Sequence, residues 1–308
     1  MIPKSIIIVL KRNILILYEI LKYRIKYFKQ RSFKLLSSTN TIVYLVEKRC
    51  SLCRFGDGEF KLAMNYAMKF PNAQGIGFQE YDDELGRRLY EILSAKSDYY
   101  MIGLPSPLFG YNLNRMTIFA KQYWKRQAVN YIDWLYLNVP RSQLFLDSFF
   151  TRFYIDYRNH NNCSAYIQDL KKIWEKRSLL IVEGLLTRLG VGNDLFDNAE
   201  SIKRIICPPI NAFSRIDEIE TAIKQYAKEN MLVLVALGPT ATVITADMAV
   251  QGIQTIDIGH IDIEYEWMLR NATEKIPIPG KFVNEARSEN DLASFSSTEY
   301  NSQIITTI

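Results

Sequence analysis

The residue pattern best suited to chemistry is the string RFGDGEF at positions 54–60. Asp57 and Glu59 are carboxylates separated by Gly58, and glycine permits a tight turn with both side chains on one side. Such a pair suits a hard divalent cation that also binds phosphate oxygens. Arg54 adds a fixed positive charge that could bind phosphate or steady the carboxylates. The alternative is that Asp57 only caps the helix beginning near Glu59.

A second pattern follows the apolar run 231–237, which is predicted to be a buried strand. Gly238 and Pro239 open an Ala-rich helical segment, where a proline loses no helix hydrogen bond. The amides at such a helix start attract anions, and Thr240 and Thr242 could add hydroxyl donors for a phosphate. The string has neither a Walker ending nor the dinucleotide fingerprint, so a purely structural role is the alternative.

A third pattern is the connection 183–194, which is dense in glycine and polar side chains and follows another predicted strand. Arg188 and Asn193, with Gly192 between them, are candidate nucleotide or sugar contacts. The alternative is a glycine-rich loop ordered by Asp194 as a helix cap.

The segment 257–267 holds four acids and one of the chain's two histidines, just past the last predicted strand. His260 could complete a metal shell with Asp57 and Glu59, or act as a base on an acceptor hydroxyl. The sequence does not choose among three candidate carboxylate bases, which are Asp257, Asp262 and Glu264.

Apolar, β-rich runs alternate with helical patterns along most of the chain. This alternation predicts an α/β fold with a mostly parallel, Rossmann-like sheet, helices on both faces and ligands at the carboxyl ends of the strands. The predicted strands are 51–55, 99–103, 143–146, 178–182, 202–207, 231–237 and 253–258, and the clearest helical patterns are 82–94, 166–176, 216–228 and 241–250.

With 308 residues, 48% of them hydrophobic, the chain can bury a large core. We predict a basic amphipathic helical extension at 1–36 and one catalytic domain at 37–286. The remaining residues, 287–308, are rich in Ser, Thr and Asn, and we interpret them as a loosely attached polar tail.

Positive charge is concentrated at the N-terminus. Residues 1–36 contain nine Lys or Arg and one Glu, which leaves about −3 for the remainder of a chain whose net charge is +5. A mildly acidic body argues against nucleic acid as a partner. The segment 1–36 lacks the uncharged run of about 18 residues that a spanning helix needs. It could bind a membrane surface, dock on a partner or pack on its own domain.

Four cysteines and no apparent secretory signal predict a reducing, cytoplasmic compartment with free thiols. Cys50 and Cys53 have the spacing of a redox or zinc pair. With no second pair and only two histidines, a complete zinc site is hard to assemble, so we interpret both as core or near-core thiols.

Several strings, taken in order over roughly residues 45–286, resemble a bacterial glycosyltransferase family with the GT-D fold, first described as a domain of unknown function. Because the motifs occur together and in order, the resemblance is far more specific than any one of them. The matching strings are RFGDGEF (54–60), GFQEYDDEL (77–85), LTRLGVGNDLFDNA (186–199), CPPINAF (207–213), ALGPTAT (236–242) and DIGHIDIEYEW (257–267), closing near 282–285.

The resemblance implies transfer of a hexose, typically glucose, from a UDP-sugar to a glycan hydroxyl, aided by Mn²⁺ or Mg²⁺ at an Asp-x-Glu motif that falls on Asp57 and Glu59. Such enzymes are associated with surface adhesins and surface polysaccharides, so the acceptor would be a glycoprotein or a lipid-linked glycan. The segment 1–36 lies outside the resemblance and fits the lipid-linked case, since a cationic helix would hold the enzyme at the anionic cytoplasmic leaflet.

The predicted site divides into donor-binding, catalytic and metal-binding positions. The donor-binding positions are Arg54, Gly56, Gly58, Arg188, Gly192, Asn193, Gly238, Pro239, Thr240, Thr242 and Asp257. The catalytic positions are Asp57, Glu59, His260, Asp262 and Glu264, of which Asp57, Glu59 and His260 would hold the metal. Two rival functions stay open: a metal-dependent phosphohydrolase of nucleotide or sugar phosphates, and a non-catalytic nucleotide-sugar-binding subunit.

Overall fold

The computed structural model describes residues 13–18, 21, 26, 29–282, 285–286 and 297–308. Within them one sheet contains nine strands: β1 Lys34–Leu35, β2 Ser51–Arg54, β3 Tyr100–Leu104, β4 Leu144–Asp147, β5 Ser178–Gly184, β6 Ser201–Cys207, β7 Leu232–Ala236, β8 Thr255–Asp257 and β9 Ile304–Thr307. Their order is β1-β4-β3-β2-β8-β7-β5-β6-β9, and every pairing is parallel. The predicted α/β class with a mostly parallel sheet is confirmed.

Helices cover both faces of this sheet. They are α1 Ser38–Lys48, α2 Asp57–Met68, α3 Asp83–Ser94, α4 Ile118–Asn138, α5 Cys163–Lys171, α6 Ile216–Tyr226, α7 Pro239–Val250, α8 Ile261–Leu269 and α9 Thr298–Gln303. Because strand side chains alternate between faces, Leu179 and Ile181 of β5 join the core under α1, α5 and α8, whereas Leu180 and Val182 join the core under α6 and α7. The third core, under α2, α3 and α4, lies on the other side of β2 from the first.

Three neighbouring strands in the middle of the sheet end beside one another. In the sheet order β2, β8 and β7 are adjacent, with Leu52 paired to Ile256 and Ile256 paired to Leu234. Each strand is followed closely by a helix: α2 begins at Asp57, α7 at Pro239 and α8 at Ile261. The connections that carry the predicted chemistry therefore lie at one edge of the sheet.

The C-terminal residues are part of the sheet. The interpretation of 287–308 as a loosely attached tail is wrong for residues 297–308, because β9 pairs in parallel with β6. Tyr300 of α9 is buried, and Gln303 accepts a 2.7 Å hydrogen bond from Arg204. Residues 287–296 lie outside the described part of the chain.

The predicted N-terminal helix is partly described. Residues 13–18 are helical and exposed. Closer to the domain, Lys26 and Lys29 form ion pairs with Asp133 of α4, and Phe33 is buried against aromatic rings of the body. The end of the segment nearest the domain therefore packs on it, which was one of the three alternatives. The described helical residues 13–18 and 21 are exposed to solvent. Among the described residues no helix has the length and apolar character needed to cross a bilayer.

The four cysteines are free thiols. Cys53 lies fully within the core, and Cys50 is half-buried. Burial raises the pKa of Cys50 to about 11, which keeps it protonated and unreactive. The interpretation of this pair as core and near-core thiols is confirmed.

Candidate active site

A cleft with a volume of about 1030 Å³ opens at the carboxyl ends of the central strands. It brings together sequence-distant segments that follow β2, β6, β7 and β8, together with the first turns of α4. Its lining includes residues 54–59, 76, 78–79, 117, 119–120, 123–124, 126, 208–212, 236–238, 257 and 259–260.

Asp57 and Glu59 both line this cleft. Glu59 Oε2 accepts a 2.8 Å hydrogen bond from the Gly56 amide, so the helix cap involves Glu59 rather than Asp57. Asp57 Oδ2 accepts a 2.5 Å hydrogen bond from the Tyr123 hydroxyl of α4. Burial, and then the negative charge of Asp257, raise the pKa of Glu59 to about 7.

Arg54 and Asp257 both line the cleft, and hydrogen bonds hold their side chains in place. Arg54 Nη1 lies 3.5 Å from Asp257 Oδ1, and Arg54 Nε donates to the Ser148 carbonyl at 3.1 Å. Burial raises the pKa of Asp257 to about 6, although Arg54 and Thr242 lower it. Since the guanidinium keeps its proton at any physiological pH, Arg54 gives the cleft a fixed positive charge.

His260 lines the cleft and is half-buried. Burial, aided by the positive charge of Arg152, lowers the pKa of His260 to about 4. The imidazole is therefore neutral near pH 7, the form that can bind a metal or accept a proton.

An ion-pair cluster that sequence reasoning did not identify lies beside His260. Arg152 forms ion pairs with Glu285 and Asp156, and Lys275 forms an ion pair with Glu285 as well. Although burial opposes it, Arg152 holds the pKa of Glu285 well below its usual value. All four side chains line the cleft. One feature of the sequence could have indicated Arg152: it follows β4 by one short turn, and ligands bind at the carboxyl ends of parallel strands.

The described residues contain no group of three or more His, Cys, Asp or Glu side chains placed to hold a metal ion. The predicted triad of Asp57, Glu59 and His260 shares the cleft without forming such a group. The two carboxylates alone still fit a hard cation, because Mg²⁺ is commonly held by one or two carboxylates together with the phosphates of a substrate.

Thr240 and Thr242, which were predicted to bind phosphate, do not line the cleft. Of the predicted positions 238, 239, 240 and 242, only Gly238 lines it. Thr242 Oγ1 donates to the Arg54 carbonyl at 2.7 Å, and Thr240 Oγ1 lies 3.4 Å from Gln79 Oε1. Both side chains are fully buried. Pro239 begins α7 but is likewise absent from the lining. These hydroxyls hold α7 in place and cannot reach a bound phosphate.

The connection 183–194 contributes less to the cleft than its composition indicated. Arg188, Gly192 and Asn193 are not among the cleft-lining residues. Arg188 Nη1 donates to the Gly280 carbonyl at 2.6 Å. Asn193 Nδ2 donates to Asp262 at 2.8 Å and to Glu266 at 2.7 Å. The connection is ordered by these bonds to the segment that includes α8, rather than by Asp194 as a helix cap.

Two of the three candidate bases are committed to structural bonds. Asp262 is 1% exposed and accepts from Lys281 Nζ at 2.6 Å as well as from Asn193. Glu264 Oε2 accepts from the amides of Tyr154 and Ile155 at 2.9 and 3.1 Å. Glu264 does not line the cleft, and burial raises its pKa to about 7. Asp257 and His260 are therefore the better-placed groups.

The nine-stranded sheet with its strand-end cleft defines an α/β fold of the glycosyltransferase kind, and solved structures share it. One, described as "The highly conserved domain of unknown function 1792 has a distinct glycosyltransferase fold", is 37% identical with a TM-score of 0.84, over 93% of this chain and 99% of that one. Another, "A New Glycosyltransferase (DUF1792) from Streptococcus sanguinis", is 39% identical with a TM-score of 0.81, over 90% and 99% of the two chains.

The chain belongs to the family described as "Glycosyltransferase GT-D fold", whose model matches residues 52–286. Curated relatives agree: "Probable glycosyl transferase Gly" of Streptococcus gordonii is 39% identical over 277 residues, and "Glycosyltransferase GlyD" of Streptococcus pneumoniae serotype 4 is 39% identical over 269 residues. These matches cover 90% and 87% of this chain but span only 39% and 32% of the relatives' length. The family resemblance inferred from the motifs is confirmed.

The position of Arg54 depends on the absence of a side chain at residue 259. Gly259 has φ +50°, and a Cβ there would lie 2.0 Å from Arg54 Nη1. We expect Gly259→Ala to displace the guanidinium and lower glycosyl-transfer turnover by about a hundredfold, the scale of a displacement of about 1 Å in an active site. Turnover and thermal unfolding should be measured on the same samples.

Gly252→Ala is the matched control, because Gly252 has φ +79° with nothing within 4 Å of its added Cβ. Both variants carry backbone strain of about 1–3 kcal/mol, but only one meets Arg54. Equal loss of turnover in the two variants would show that strain, and not the guanidinium position, limits activity.

Proposed function

We propose that the chain transfers a hexose, glucose in the first instance, from a UDP-sugar to a hydroxyl group of a glycan, with a divalent cation. The observation that carries this proposal is the placement of Asp57 and Glu59 in one cleft with Arg54 and Gly238. Carboxylates for a cation and positive groups for phosphate are the two requirements for a nucleoside diphosphate leaving group.

Mn²⁺ or Mg²⁺ would be held by Asp57 and Glu59. When bound, the cation supplies positive charge that offsets the charge developing on the departing diphosphate. Tyr123 supports this role, because its hydroxyl donates to Asp57 Oδ2 and fixes the carboxylate. One oxygen of each carboxylate is engaged by the protein, which leaves the other as the candidate ligand atom.

Protein groups would bind the rest of the donor. Arg54 supplies a charged donor for phosphate oxygens, and the start of α7, where Gly238 lines the cleft, is the helix end whose dipole favours negative charge. The Phe78 ring packs directly against Gly238, since a Cβ there would lie 2.2 Å from the ring.

His260 is the group best placed to take the proton of an attacking hydroxyl. Its ring is neutral near pH 7 because burial and Arg152 lower its pKa, and it lines the cleft. Asp257 is the second candidate, although its Oδ1 already accepts a hydrogen bond from the Gly259 amide and its Oδ2 lies 3.3 Å from the Thr242 hydroxyl.

The acceptor we propose is a glycan carried by a protein or a lipid. Support for a lipid-linked glycan comes from the N-terminal segment, whose described residues Ile14, Leu15, Ile16 and Leu17 are each at least 50% exposed. Apolar side chains within a strongly cationic segment are suited to an anionic membrane surface at the cytoplasmic face.

The membrane proposal is tested by co-sedimentation with phosphatidylglycerol and phosphatidylcholine vesicles. We expect the full chain to bind the anionic vesicles in a salt-sensitive way and the double substitution Ile14→Glu, Leu17→Glu to abolish binding. Leu137→Glu is the control, because Leu137 is 80% exposed on α4 and lies outside that segment. Equal binding by wild type and the double variant would contradict the proposal.

The central experiment is a screen of UDP-sugars for metal-dependent UDP release, with and without membrane lipid extract. We expect Asp57→Asn to lower turnover by about a hundredfold or more, because a catalytic metal contributes several kcal/mol. Asp169→Asn should retain wild-type turnover, since Asp169 is 48% exposed and outside the cleft.

The two rival functions give different results in the same screen. A phosphohydrolase would act at full rate without any acceptor, and a non-catalytic subunit would bind UDP without turnover. Undiminished metal-dependent turnover by folded Asp57→Asn would remove the basis of the proposed function.

A further inference from the structure

Phe119 is an exposed aromatic residue at the cleft. Its side chain is 85% exposed, the highest value among the large apolar residues that the structure describes, and it lines the cleft. Its neighbour Ile118 is 68% exposed but does not line the cleft. Because the ring contributes little to the core and faces the cleft, it is available to a ligand bound there.

The start of α4 that carries Phe119 is firmly held. Thr117 Oγ1 accepts from the Ala120 amide at 3.3 Å, and the Thr117 amide donates to the Asp156 carbonyl at 2.9 Å. Trp124 packs edge-on against Phe149 with ring centroids 5.1 Å apart. The ring of Phe119 is therefore presented by a fixed element, which reduces the entropy lost when a ligand binds.

Phe119 also lies on the same face of α4 as a residue that contacts the proposed reaction centre. Tyr123 follows it by four residues, so both side chains project from one face of α4. The Tyr123 hydroxyl donates to Asp57 Oδ2 at 2.5 Å. One helix face therefore leads from the exposed ring to the carboxylate assigned to the metal.

We propose that Phe119 is the stacking surface of an acceptor subsite that binds a pyranose ring, an inference that rests on the proposed function. A pyranose has one face of C–H bonds, which packs on the electron-rich face of an aromatic ring, and a rim of hydroxyls that need polar partners. Thr117 and Arg126 line the same cleft as Phe119, and their side chains are polar groups of the kind that such hydroxyls need.

The donor and acceptor assignments use different elements. The residues assigned to the donor lie at or just after the ends of β2 and β7, whereas Phe119 belongs to α4, which begins fourteen residues after β3 ends. A lipid surface is the less suitable occupant, because Phe119 shares the cleft with charged groups such as Arg126 and Asp57, which would lose hydration against hydrocarbon.

Saturation-transfer difference NMR tests the subsite with methyl β-glucoside and methyl β-N-acetylglucosaminide as probes, in the presence of UDP and Mg²⁺. We expect wild type to saturate the C–H protons of one pyranose face. Phe119→Ala should weaken probe binding by about tenfold, the value of one aromatic contact, and Phe119→Trp should retain it. Ile118→Ala is the matched control and should bind the probes as wild type does.

UDP signals separate the failure of this inference from failure of the proposed function. With UDP bound, unchanged glycoside signals in Phe119→Ala, or no glycoside signal in wild type, would overturn the acceptor subsite alone. Absence of UDP signals in wild type would overturn the proposed function and this inference with it. A loss of vesicle binding in Phe119→Ala, with glycoside signals intact, would assign the ring to a lipid surface and contradict the proposal.

Discussion

Parallel pairing of β2, β8 and β7 is the constraint on which the cleft depends. Neighbouring strands in a sheet lie about 4.8 Å apart, so parallel strands that pair in register end side by side. Arg54 and Asp257, separated by 203 positions in sequence, come within 3.5 Å as a result. Gly238 follows β7 in the same row. Without that register the charged groups would not face a common space.

Polar side chains near the cleft fall into two groups, those that hydrogen-bond mainly to other protein groups and those that face the open space. Thr242, Asp262 and Glu264 are buried, and each makes hydrogen bonds to other protein groups, although Asp262 also borders the cleft and Glu264 Oε1 has no protein partner. A buried polar group that lost such a partner would cost about 1–3 kcal/mol, so these residues hold the cleft in shape. Asp57 and His260 line the open space and are less deeply buried, so a ligand can reach them.

The sequence was sufficient to predict the parallel sheet and the meeting of Asp57, Glu59, Asp257 and His260 in one cleft, because hydrophobic period and strand-end position carry that information. It could not predict the direction of individual side chains. Asn193 and Thr240 lie in motifs that indicated ligand binding, but their side chains contact Asp262 and Gln79 instead of the cleft. Tyr123 and Phe119 were missed because they lie on a helix that follows no strand directly. The strand β9 was missed although its residues, IITT, are all β-branched, because they follow a long stretch rich in Ser, Thr and Asn and the whole tail was interpreted from that composition.

The central claim is that Asp57 and Glu59 bind the cation that accompanies the diphosphate of the donor. A crystal structure with UDP and Mn²⁺, with the metal located by anomalous scattering, tests it most directly. We expect one anomalous peak coordinated by Asp57, Glu59 and phosphate oxygens, with the diphosphate near Arg54 and Gly238. A peak coordinated elsewhere, with both carboxylates retaining only their bonds to Tyr123 and Gly56, would contradict the claim.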